Sequence, residues 1–419
     1  MMRRTAALLA TLLLSGAAAY AAATAEELPA RVSLEKVVEL LNERSPETIA
    51  DRKTIDIVAA DRLTARAFPN PYFSFDSLRL TSGESTGAET QQQYSLAQPL
   101  PIFGTRRAGK ELADLNVSAE TSRVASDLAQ RRLEVRQAFI SLVARQESLR
   151  VLQESLTELQ RVEGVVRGRA EAGDRSQYEV LRIETERRVL EVEVQNAVTD
   201  VEDSSRELAT LLGFPGWRPE AEGSLEAGDV PVDFDALWET AQLKRPSIVT
   251  LKRRQSAAEG ELALARRERA PIPTLSGGIL NTQDVTGTSL ALGVSLPLPL
   301  FDRNKGAIAR ASAEVDADKL ALDAEMAKTR AEIERSLATL VARRKTLETL
   351  EADIVKKVPD LRRMAEDAYR EGRGDILELL DASRSLKDIQ MLHIQQLEAT
   401  KEAEEEVIAA AGLDEKGQT

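Results

Sequence analysis

Two carboxylates three positions apart, Glu378 and Asp381, follow a break in the chain at Glu371-Gly372-Arg373-Gly374-Asp375. On a helix, residues i and i+3 share a face. Carboxylates gathered there attract cations and repel one another; the plain alternative is two solvated helix charges in a chain that is 30% charged. The positions 199 residues earlier hold Glu179 and Arg182, after a second glycine break at Gly173. Arg373 and Arg175 supply basic charge within the two breaks. Little else is suited to chemistry. His393 is the one histidine and lies two residues from Met391; helical side chains at that spacing do not face one another, which argues against a metal site within one chain. Cysteine is absent, so disulfides, thiolate catalysis and cysteine-ligated metal are excluded. Neither half carries a nucleotide loop, a Ser/His/Asp set or a phosphate cradle. The sequence predicts no enzyme, no cofactor and no metal site.

Long helices must position these residues. Leu128, Val135, Leu142, Leu149 and Leu156 recur every seventh position, and Met326, Ile333, Leu340, Leu347 and Ile354 repeat the ladder 198 positions later. Seven-residue apolar spacing in a charged background marks helices packed in coiled-coil fashion. The duplication continues outside the ladder. Pro46 matches Pro246 at an offset of 200, Pro69 and Pro71 match Pro271 and Pro273 at 202, and Gly173 and Gly213 match Gly372 and Gly412 at 199. Repeat one, 33–213, is read as a helix broken at Ser45-Pro46, a hairpin over 72–100, a long helix over 106–172 and a returning helix over 176–212. After a linker, 214–232, repeat two covers 233–412: a helix, a hairpin over 272–297, a long helix over 304–371 and a helix over 375–411, with a tail at 413–419. About 65 helical residues span on the order of 100 Å, too long for a globular domain. Pro359 falls inside the second long helix and is expected to bend it, either toward an axis or harmlessly toward solvent.

The first 25 residues read as a secretory signal: Arg3 and Arg4, an apolar run, then an alanine-rich cleavage region. No later stretch is apolar enough for a membrane-spanning helix. Net charge of -13 argues against nucleic acid. Within the second hairpin, Leu290, Leu292, Val294 and Leu296 alternate with Ser289, Ala291, Gly293 and Ser295. A soluble half-buried strand would alternate the same way, but the charged helices flanking each hairpin offer no core to cover it. Ten tilted residues fit a strand of an outer-membrane barrel. Four strands cannot close a barrel, so copies must share one: two give eight strands and three give twelve.

The duplicated proline-flanked hairpins, the run Pro297-Leu298-Pro299-Leu300-Phe301-Asp302-Arg303-Asn304-Lys305-Gly306 and the two glycine turns resemble the TolC-like outer-membrane factors of tripartite efflux systems. The resemblance covers about Val32 to Gly412. It implies a mainly α fold with a transmembrane β part: a homotrimer with a twelve-stranded barrel, four strands per chain, and a periplasmic tunnel of coiled-coil helices. It implies an outer-membrane location, lipid contact, a periplasmic adaptor (membrane fusion) protein and an inner-membrane pump of the resistance-nodulation-division type. The run beginning Leu298-Pro299-Leu300-Phe301 resembles the branch exporting cobalt, zinc and cadmium. In this family the turns farthest from the membrane close the tunnel, with acidic residues after the second turn. That places Glu378 and Asp381 at the gate, three copies giving six carboxylates, with Glu179, Arg182 and Arg373 as their neighbours. The family's basic partner falls on Gly374 here, so Arg373 or Arg175 would have to substitute.

A soluble periplasmic coiled-coil adaptor is the competing reading, and a TolC-like duct for drugs or peptides is another. Adaptors carry one helical hairpin within compact β domains, which the duplication and the proline-bounded hairpins oppose.

Overall fold

The structure, a computed structural model, describes residues 28–83, 90–172, 176–282 and 287–413. The signal segment, Gly173, Arg175 and most of the C-terminal tail lie outside the described residues.

Repeat one begins with a short strand β1 (Arg31–Val32) and α1 (Leu34–Glu43). Ser33 caps α1, its hydroxyl accepting from the Lys36 N–H at 3.4 Å. Pro46 cannot continue α1 but suits a helix start, so α2 runs Pro46–Arg66. Strands β2 (Tyr72–Arg79) and β3 (Thr90–Pro99) follow, then α3 (Thr105–Glu171) and α4 (Gln177–Leu211). The region read as a linker is tied down: β4 (Glu220–Ala221) pairs in parallel with β1, and the Trp217 indole donates to the Pro29 carbonyl at 2.9 Å.

Repeat two contains α5 (Phe234–Lys244), capped by Asp233, then α6 (Pro246–Arg267), β5 (Thr274–Thr282) and β6 (Gly287–Ser295). One element departs from expectation. In place of a single helix over 304–371 stand α7 (Lys305–Leu350), a π-helical turn (Glu351–Val355) and α8 (Val358–Arg370). Pro359 occupies the first turn of α8, where its missing N–H leaves no intrahelical bond unmade. The π-helical turn absorbs the break, so the proline does not bend a helix interior. The last helix, α9, covers Ile376–Ala411.

The chain divides into two compact units. One gathers the described parts of Met1–Ser45, Glu134–Ala227 and Lys345–Glu402. Its core joins Leu159, Val162 and Val166 of α3, Ile183 and Leu190 of α4, Tyr369 of α8, and Ile376 and Leu379 of α9. The other gathers Pro46–Leu133, Gly228–Arg344 and the described part of Ala403–Thr419. There Ile333, Leu337 and Leu340 of α7 pack on Leu237 and Ala241 of α5 and Val407 and Ala411 of α9. Within this second unit the buried Glu404 carboxylate takes the Gly228 N–H at 2.9 Å and Arg344 at 2.9 Å. Pairing a buried charge with both a cation and a backbone donor is what makes its burial tolerable.

β2, β3, β5 and β6 form one antiparallel sheet in that order, within the second unit.

Candidate functional site

Residues facing each other across a sheet lie on the same side of it, so the register sorts the side chains. One row is Phe73, Leu96, Gly277 and Leu292; the next is Phe75, Tyr94, Ile279 and Leu290. Leu275 and Val294 add a third. The Phe75 and Tyr94 rings meet at 4.9 Å. This face is apolar yet open, with Leu292 77% exposed. One row nearer the loop ends it turns polar: Ser77, Gln92, Asn281 and Thr288. The apolar surface is therefore a band. The opposite face carries Ser74, Asp76, Gln93, Ser95, Ser276, Ser289 and Gly293, with Tyr72, Leu78 and Leu280 the large exceptions. Ser74 and Ser95 share a hydrogen bond of 2.7 Å there. Gly278 permits close strands on this side, since a Cβ would sit 2.3 Å from the Tyr94 carbonyl oxygen.

The acidic turn belongs to the other unit. Gly372 adopts φ +73, which favours glycine. The Arg373 and Gly374 N–H groups then both reach the Ala368 carbonyl, closing α8. Asp375 caps α9, accepting from the Glu378 N–H at 2.9 Å. Ile376, Leu379 and Leu380 are buried, which leaves Glu378 and Asp381 exposed on the remaining face. The Glu378 carboxylate leans toward Gly374, 3.1 Å from where a Cβ would lie. Arg373 pairs with Glu371 rather than with either of those acids.

Repeat one uses its matching residues differently. Glu179 is half-buried and accepts from the buried Tyr369 hydroxyl at 3.1 Å. Arg182 is half-buried near Glu186, whose carboxyl is held below the usual range chiefly by its hydrogen bond to Arg384. Glu378 and Asp381 thus stand exposed together on α9, while Glu179 is engaged by Tyr369 and Arg373 by Glu371. Sequence reasoning missed Arg169 altogether. Its guanidinium donates to the carbonyls of Tyr369 at 3.1 Å and Arg370 at 2.7 Å, and lies 5.7 Å from the centre of the Tyr369 ring. The arginine thereby satisfies carbonyls at the C-terminus of α8, a favoured place for a cation. Only the spacing between an arginine and a tyrosine in different repeats hinted at it, and that is too common a pattern to read.

A model of the family described as outer membrane efflux protein matches residues 237–413. The cobalt-zinc-cadmium resistance protein CzcC of Cupriavidus metallidurans is 25% identical over 362 residues, covering 84% of this chain and 84% of CzcC. The family model's match covers most of the second repeat and makes the chain similar to the outer membrane efflux proteins. The nickel-cobalt-cadmium resistance protein NccC of Alcaligenes xylosoxydans is 24% identical over 289 residues, covering 67% of this chain and 63% of NccC. The outer membrane protein VceC of Vibrio cholerae shares the fold, with a TM-score of 0.70 at 17% identity, over 90% of this chain and 96% of VceC. The chain is a channel component of the outer membrane with a periplasmic extension. No helix among the described residues is long and apolar enough to cross a membrane. The sheet, with its exposed apolar band, is the part suited to a bilayer.

Proposed function

We propose that three copies close a twelve-stranded barrel and a helical periplasmic tunnel, and that the channel carries heavy-metal cations delivered by a resistance-nodulation-division type pump through a periplasmic adaptor. One observation carries the closure. The sheet order leaves β2 and β6 as edges without partners among the described residues, and edge N–H and C=O groups inside a bilayer must be paired. Four strands cannot curl onto themselves, so the partners belong to further copies. On α4, Tyr178, Leu181, Val189 and Val192 recur at helical spacing and stand more than half exposed, which suits burial against a neighbouring copy. The metal cargo rests on the likeness to CzcC and NccC, and on the exposed pair Glu378 and Asp381, read as an acidic ring at the tunnel gate.

Purified protein run on a gel with and without boiling tests the assembly: a trimer-sized band that collapses on heating supports it, and monomer without heating overturns it. For the gate, a Glu378→Gln/Asp381→Asn double substitution is expected to lower cation-over-anion permeability several-fold in planar bilayers, because fixed carboxylates concentrate cations. Glu179→Gln should change it far less. Equal effects from the two would remove Glu378 and Asp381 from the gate. Deletion of the gene should sensitise cells to cobalt, zinc or cadmium; unchanged metal tolerance with lost drug tolerance would reassign the cargo.

A further inference from the structure

Where α6 ends and α7 begins, within one unit, an open notch of about 570 Å³ is lined by Arg266, Arg267, Arg269 and Arg303 together with Phe103 and Pro299. Most arginines of this chain are tied to a carboxylate or a carbonyl. The side chains of these four make no ion pair or hydrogen bond among the described residues, and all four are exposed. The two acids interleaved with them are engaged by Asn304. That residue sits at φ +56, a conformation asparagine tolerates. Its N–H bonds Asp302 at 2.9 Å, and its side-chain amide donates to the Ala265 carbonyl at 2.9 Å and to Glu268 at 3.3 Å. The clamp fixes the start of α7 against the end of α6 and holds the two carboxylates, neither of which forms an ion pair with the arginines. In a chain of net charge -13 this is an unusual concentration of positive charge.

The surroundings point to what it meets. Next to the arginines the chain exposes Leu298, Leu300 and Phe301, the last 99% exposed. These continue from the strand end carrying Leu275 and Val294, where the apolar band finishes. Apolar and aromatic groups giving way to cations within a few residues is the pattern of a bilayer interface. The basic residues that open α3 in repeat one are already committed: Arg106 to the Arg66 carbonyl and the Phe68 ring, Arg107 to Glu111 at 2.9 Å.

We propose that this notch binds the headgroup of an anionic phospholipid in the periplasmic leaflet, the arginines holding the phosphate oxygens while the acyl chains lie along Leu298, Leu300 and Phe301. Guanidinium groups match phosphate geometry and remain charged at any working pH. The proposal rests on the outer-membrane reading, and its test separates the two. Full-length protein is incorporated in nanodiscs of phosphatidylcholine with a small fraction of phosphatidylglycerol, extracted in mild detergent, and weighed by native mass spectrometry. Retention of phosphatidylglycerol over phosphatidylcholine by the wild type, falling on the order of tenfold or more in an Arg266→Gln/Arg267→Gln/Arg269→Gln/Arg303→Gln variant, supports the site. A wild-type oligomer that inserts but shows no headgroup preference overturns the notch and leaves the channel standing; a wild type that fails to insert overturns both. Unchanged lipid retention with altered ion selectivity in the variant would place the arginines in the passage and also end the proposal. If the variant does not assemble, the wild type decides: a preference that weakens with added salt supports the site, and one indifferent to salt overturns it.

Discussion

The two long helical stretches begin alike and end differently. In repeat one, α3 runs unbroken through all five rungs of its apolar ladder, from Leu128 to Leu156. In repeat two the ladder holds from Met326 to Leu347 along α7, and its last rung, Ile354, falls in the π-helical turn and is 39% exposed. A π-helical turn inserts a residue and rotates the helix beyond it, so the seven-residue register cannot survive it. At the same place His393 of α9 meets Glu351 at 2.9 Å, within the same unit. One repeat therefore supplies a continuous helix and the other a jointed one. Duplication preserved the apolar code along most of its length and released it just ahead of a proline.

The sharpest way to break this comparison is to delete rungs. Leu142 and Leu340 are both fully buried, and truncating either to alanine should cost about 2–5 kcal/mol. Ile354→Ala should cost less than about 1 kcal/mol, since an exposed side chain leaves little cavity. Midpoints of denaturant unfolding would show it; an Ile354→Ala loss as large as that of Leu340→Ala would mean the last rung is packed after all. The second test moves the proline. Pro359 lies in a first helical turn, so Pro359→Ala should change stability by less than about 1 kcal/mol. Arg161, 198 positions earlier, lies deep within α3, and Arg161→Pro should cost about 3 kcal/mol or more. Similar losses from the two substitutions would show that both helices tolerate a joint there.

Much of this was legible in the sequence for a physical reason. Helical packing needs apolar groups at fixed intervals, so Leu142 and Leu340 announce themselves, as do the proline breaks at Pro46 and Pro246. Strand alternation was plain only in β6, where small residues separate Leu290, Leu292 and Val294. In β2 and β3 the apolar face is written in Phe73, Phe75, Tyr94 and Leu96, interrupted by glutamines, and emerges once the register aligns it. The π-helical turn was not legible, because Leu347 and Ile354 keep their seven-residue spacing across it. Nor were the partners of Glu179 and Arg373: which charge a long side chain reaches depends on fractions of a helical turn.

The smallest effect concerns opposite charges that meet between the two repeats. Glu186 of α4 and Arg384 of α9 come from different repeats and carry opposite signs. They are bonded to each other. Lys387 likewise meets Glu193 at 2.7 Å. Like charges at these contacts would repel, so the opposite signs favour packing of the two helices. The Arg384 hydrogen bond holds the Glu186 carboxyl below its ordinary value. A carboxyl that titrates lower when folded contributes its full stability above the unfolded value, near pH 4.5, and loses it as the pH falls through the folded one. The pair is partly exposed, so its worth is about 0.5–1 kcal/mol. Melting of the wild type should therefore soften as pH drops from 6 toward 3, and Glu186→Gln should soften less over the same range. Glu186→Arg should destabilise, and adding Arg384→Glu should recover most of the loss. A double exchange no better than the single one would show that the opposite signs do nothing for packing.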